Sequence, residues 1–155
     1  MRRLALGILC VYEIGCGTND TPTEPVQTMT TEHYQAVTVP ILNELGLGIE
    51  AGTYWFAPFS IPVGAADASV DVDFTVVSGR DVEVYLLDSR AATNWERGTD
   101  GAKPIWASGR VATAKETWRL GAGDYVIIVS NRYSWFTSKI VRVAATVHYT
   151  GTVVQ

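Results

Sequence analysis

From Tyr34 onward the apolar residues recur mainly with a period of two, which limits the chain to folds built from strands. Successive side chains of a β-strand point to opposite faces, so alternation marks a strand with one buried and one solvated face. Val70, Val72, Phe74 and Val76 alternate with Asp71, Asp73 and Thr75. After a Ser78-Gly79-Arg80 turn, Val82, Val84 and Leu86 alternate with Glu83 and Tyr85, and the two runs read together as a β-hairpin. Thr53 to Ile61 is an aromatic-rich strand in which Pro58, having no N–H to give a ladder, calls for an edge or a bulge. Pro104 to Val111 and Thr117 to Leu120 are weaker strand candidates, and Tyr125 to Ser130 suits a central strand buried on both faces. Lys139 to Tyr149 closes the pattern as a long alternating strand. No stretch carries a helical stripe, and Asp88 to Gly101 reads as a long polar loop. About eight short strands punctuated by Gly and Pro predict an all-β fold, an antiparallel β-sandwich of jelly-roll-like or similar type.

The N-terminus follows a different logic. Met1-Arg2-Arg3 followed by an apolar run from Leu4 to Tyr12 has the form of a signal peptide, and the run is too short to span a bilayer. Glu13-Ile14-Gly15-Cys16-Gly17 resembles the lipobox of bacterial lipoproteins, with Glu13 standing where that family has an apolar residue. The resemblance implies lipidation of Cys16, which would become the mature N-terminus and anchor the chain to a membrane. Gly17 to Thr31 is rich in Thr, Pro and Glu without apolar periodicity and reads as a flexible tether. The expected organisation is a signal peptide over 1–15, a tether over 16–32 and a sandwich over 33–155. The expected location is the cell envelope, at the outer membrane or cell surface, because Gly17 replaces the Asp that signals inner-membrane retention. Both cysteines, Cys10 and Cys16, precede the sandwich, so no disulfide can form within it.

A second resemblance lies in the last third. Leu120-Gly121-Ala122-Gly123-Asp124-Tyr125-Val126-Ile127-Ile128-Val129-Ser130-Asn131-Arg132-Tyr133-Ser134 and the following Trp135 to Val141 resemble the C-terminal part of GOLD domains. There a Gly-x-Tyr opening leads a strand into an Asn-x-x-Ser corner and then to a Lys that begins the final strand. Gly48 to Leu87 resembles the matching first half, so the likeness covers roughly residues 36–150. The "Gly-x-Tyr" strand is also similar to bacterial pre-peptidase C-terminal-type domains. Both groups are interaction or accessory modules, and neither supplies a catalytic role to carry over. The likeness implies that Asn131, Ser134 and Lys139 form a corner. Without it, Asn and Ser read as residues that hold a tight connection by bonding nearby backbone.

Little in the chain points to catalysis. Without residues 1–15 it keeps 10 basic and 15 acidic groups, a net charge of −5, which disfavours nucleic acid as a partner. His33 and His148 are the two histidines, too few for a His-based zinc site, and no nucleophile elbow accompanies them. No metal, cofactor or catalytic residue is assigned. Asp71, Asp73, Asp81 and Glu83 fall on the solvent side of two strands expected to be adjacent, where they either form a weak Ca²⁺ site or are an ordinary charged face. The five tryptophans offer more. Trp95, Trp106, Tyr133, Trp135 and Phe136 fall at connections, where rings either recognise a protein or glycan or fold back to cap the sandwich. The shortness of the corner favours capping for Trp135, while Trp95 is open to both uses. The expectation is a non-catalytic envelope module that binds a protein or envelope component. Its alternatives are a carbohydrate-binding module and a structural subunit of a surface assembly, with oligomeric state left open. Cys16→Ser should move the protein from the membrane to the soluble fraction; unchanged membrane association on fractionation would exclude a lipid anchor at this residue.

Overall fold

Period-two burial runs through the computed structural model of the protein, which describes residues 32–154. The leader, Cys16 and the tether through Thr31 lie outside the described residues. The strands are β1 (Glu32–Ile49), β2 (Tyr54–Ile61), β3 (Ala66–Ser78), β4 (Val82–Asp88), β5 (Trp106–Val111), β6 (Thr113–Arg119), β7 (Gly123–Ser130) and β8 (Lys139–Val154). They form two antiparallel four-stranded sheets, in the orders β1-β8-β3-β6 and β2-β7-β4-β5. The expected all-β sandwich is therefore present, and these strand orders wrap it as a jelly roll. Between the sheets lie Val70, Val72 and Phe74 of β3, Val82, Val84 and Leu86 of β4, Ile127 and Val129 of β7, and Val141, Val143 and Val147 of β8. Pro58 sits in β2, an outer strand of its sheet, where its missing N–H costs no ladder bond. Pro40 falls at a register shift in β1, an outer strand of the other sheet, for the same reason.

Two expectations are corrected here. β3 and β4 are not a hairpin: β3 pairs with β6 and β8, and β4 pairs with β5 and β7. Alternation says which residues of a strand face the core, but not whether the next strand lies beside it or across the core from it. The connection crosses between sheets through Gly79 and Arg80, whose φ values are 102° and 76°. A Cβ on Gly79 would lie 2.8 Å from the Ser138 carbonyl oxygen, so glycine is required both for its φ and for the space.

The second correction concerns 88–101, which is not a polar loop throughout: Ser89–Arg97 is a helix, α1. Asp88 caps it, its carboxylate accepting from the Ala91 N–H at 2.7 Å. Gly98 ends it in the left-handed conformation, at φ 63° and ψ 31°. Ala91 and Ala92 face inward and pack with Leu87 and Ile128 in a second, smaller core on the outer face of the β2-β7-β4-β5 sheet. This explains why β7 is buried on both faces, as its unbroken apolar run required.

Phe74, 1% exposed, is the largest side chain fully buried between the sheets. Phe74→Ala should lower stability by about 3–5 kcal/mol in chemical denaturation. A loss below ~1 kcal/mol would mean that the inward face of β3 is misassigned.

Candidate functional site

Four connections gather at one end of the sandwich: residues 50–53, 79–81, 112 and 131–138. Asn131, fully buried, fastens two of them together. Its side-chain Nδ2 donates to the Glu50 carbonyl at 3.1 Å and the Thr137 carbonyl at 2.8 Å, with the Ile49 carbonyl at 3.4 Å. Its backbone adds bonds to Gly52 and Thr53. Ser134 closes the corner from within, its hydroxyl donating to the Thr137 carbonyl and accepting the Thr137 N–H. Buried polar groups need such partners, and here the partners are carbonyls that would otherwise be stranded where strands end.

Lys139 opens β8 and is 4% exposed. Its ammonium donates to the Gly79 carbonyl and lies 3.6 Å from the Asp81 carboxylate. The Tyr133 hydroxyl donates to Asp81, whose backbone oxygen and Oδ1 both lie 2.6 Å away. The Arg110 guanidinium sits 4.0 Å above the Tyr133 ring and pairs with Glu83 at 3.5 Å. The Tyr133 bond is the main reason that the Asp81 carboxyl is held below the usual carboxylate range; burial opposes this and Lys139 reinforces it. Burial first, then the bond to Asp81, pushes the Tyr133 phenol well above its ordinary value. Tyr85 rises to about 12 through burial and its bond to Glu83. Asn131, Ser134 and Lys139 therefore converge on one rigid corner, with Tyr133 and Asp81 joined to it. Asp81 and Tyr133 are 52 positions apart, and no sequence signal linked them.

The five candidate aromatics separate into four groups. Trp135 and Phe136 stand out from the corner, 86% and 96% exposed. The stapled corner turns Tyr133 inward, and the next two rings have nothing beneath them to cap; the capping expected for Trp135 is not what the structure shows. Trp95 is the reverse case. It lies on α1, edge-on to Tyr54 at 5.0 Å and tilted against Tyr85 at 5.4 Å, with the Arg132 guanidinium 4.7 Å from its ring. It closes the small core rather than standing on a loop. Trp106 begins β5 and packs against Trp118 at 5.0 Å, alongside the main core.

The carboxylates do not assemble. Asp71 and Asp73 lie on β3 in one sheet and Glu83 on β4 in the other, so without the hairpin the four carboxylates are not brought together as a Ca²⁺ site would need, and the alternative of an ordinary charged face is the one the structure fits. Each has its own partner: His148 for Asp71, Lys115 for Asp73, Arg110 for Glu83 and Lys139 for Asp81. His148 lies between the Thr38 hydroxyl, 3.1 Å from Nδ1, and Asp71, 3.3 Å from Nε2. This hydroxyl–imidazole–carboxylate row links three strands of a solvated sheet face by cross-strand contacts. His33 is exposed near the start of β1.

Trp95→Ala should lower stability by about 2–3 kcal/mol, with loss of β2–α1 packing seen as faster hydrogen exchange in α1. Tyr133→Phe should cost about 1 kcal/mol near pH 7, since Asp81 is partly exposed. The folded-state pKa of Asp81 is depressed, so its contribution is complete above the unfolded value of ~3.9 and is lost as pH falls through the folded value. The stability gap between wild type and Tyr133→Phe should therefore narrow below about pH 4 in acid-denaturation curves. A constant gap down to ~pH 2 would show that the hydroxyl does not act through Asp81.

No protein-family model matches the chain, and no curated protein matches it. Among solved structures, a chain described under "Bacillus endospore appendages form a novel family of disulfide-linked pili" is similar at a TM-score of 0.41 and 16% identity, covering 90% of this chain and 98% of that one.

Proposed function

We propose that this chain is an exported cell-envelope lipoprotein, anchored through Cys16, whose sandwich is a non-catalytic module recognising a protein partner through Trp135 and Phe136. The observation that carries the reading is the pair of adjacent, almost fully exposed rings on a corner fastened by Asn131, Ser134 and Lys139. Large apolar rings in water mark a recognition surface when their backbone is fixed, because little ordering entropy is then lost on binding. Glycan stacking favours a row of exposed rings, whereas Trp95 and Trp106 are packed against neighbouring aromatics. What remains is a single apolar tip, a shape suited to a pocket on a protein. The bonded Asn131/Ser134/Lys139 corner also supports kinship with GOLD-like or pre-peptidase C-terminal-type modules.

The reading as a subunit of a surface assembly has support of its own. β1 runs 18 residues along the outside of its sheet and offers a long strand edge for pairing with another chain.

Replacing both rings, Trp135→Ser with Phe136→Ser, should leave the thermal midpoint within ~2 °C, because neither ring is packed. The same variant should abolish the discrete cross-linked adduct expected of the wild-type protein in cells. An unchanged adduct would place recognition elsewhere, and a large fall in the midpoint would show that the rings support the fold.

A further inference from the structure

The end of the sandwich opposite the Trp135–Phe136 tip carries an apolar groove of about 250 Å³. Val37 of β1, Pro62, Val63 and Ala65 of the β2–β3 connection, and Tyr149 and Gly151 of β8 line it. β8 runs from Lys139, beside the tip, to Gly151 in the groove, so the two features are about 40 Å apart along the molecule. Val63 on the rim is 96% exposed, as little covered as the tip rings themselves. A glycine inside a strand weakens it and often marks a close approach by another group. Here a Cβ at Gly151 would lie 3.3 Å from the Tyr149 ring and 3.8 Å from Val37, so any larger residue would encroach on the groove. A dry apolar cavity of ~150 Å³ already holds a benzene ring, so this groove has room for one of the tip's rings.

We propose that the Trp135–Phe136 tip of one copy seats in the Val63–Tyr149–Gly151 groove of a second copy, joining the chains head to tail. The inference rests on reading the tip as a protein-recognition surface and names its partner. A second copy fits because this chain carries both halves of the contact on opposite ends, an apolar knob and an apolar groove with room for one of its rings. A contact between two different patches on identical chains is heterologous: each added copy leaves one tip and one groove exposed, so the assembly continues unless it closes into a ring. One ring in the groove and the other against its Val63 rim bury at most on the order of 150–250 Å² each, which places the junction below standard interfaces and makes it weak.

Sedimentation velocity on the full chain tests this, in reductant so that Cys10 and Cys16 cannot cross-link copies. The wild type should show an average mass that rises with concentration up to ~1 mM. The tip variant, Trp135→Ser with Phe136→Ser, and the groove variant, Val63→Arg, should each stay monomeric alone. Mixed in equal amounts they should form a dimer and nothing larger, because one intact tip meets one intact groove. A monomeric wild type at ~1 mM, self-association that survives in either variant, or a mixture that stays monomeric would each overturn the proposal. If the wild type is monomeric yet the tip variant loses its cross-linked adduct in cells, the head-to-tail contact falls and the tip remains a surface for another protein. If the adduct also persists in the tip variant, both readings fall.

Discussion

The Asn131 side chain donates to carbonyls of two segments far apart in the chain, Glu50 in the β1–β2 turn and Thr137 in the β7–β8 corner. Much of the candidate surface depends on that amide. It closes one end of a barrel-like wrap whose strands cross from sheet to sheet, where backbone groups leave their ladders and would lack partners. Fixing Asn131 fixes the short path from Ser130 to Lys139. On that path Tyr133 turns inward to Asp81 while Trp135 and Phe136 stand in water. Lys139 does the same from the other side, its buried ammonium binding the glycine turn that carries β3 across to β4. The exposed tip is thus a consequence of a polar staple, not of a loosely held loop.

Charge is distributed consistently with that picture. Lys139 and Asp81 compensate each other at the corner, Arg110 bridges Glu83 and the Tyr133 ring, and Arg132 covers Trp95 while donating to its carbonyl. The cations at this end are largely engaged in holding aromatic rings and carboxylates in place. The tip itself, Trp135 and Phe136, is apolar, which favours recognition by shape and burial over long-range electrostatic steering. On the open face of the other sheet, Asp71, Thr38 and His148 meet by register alone, each reaching a neighbour on an adjacent strand.

Which residues of each strand face inward could be read along the chain, because the alternation of Val70, Val72 and Phe74 with aspartates leaves one register that buries apolar surface without burying charge. The pattern also required that β7 be covered on both faces and that Pro58 lie on an outer strand or at a bulge, each through the hydrogen-bonding and solvation needs of the backbone; the topology settled Pro58 on an outer strand. The sequence held the signals for α1 as well, in the Asp88 cap, the Gly98 stop and the inward Ala91, Ala92 and Trp95, but nine residues in a polar setting carry too weak a period to outweigh a loop. Tertiary structure alone decided that β3 and β4 face each other across the core, since period two is the same for a neighbour beside a strand and one opposite it. It alone decided that Trp95 is packed and Trp135 exposed: a ring's burial depends on whether another element passes beneath it, and that element, α1 over Tyr54 and Tyr85, is set by long-range packing that no local pattern encodes.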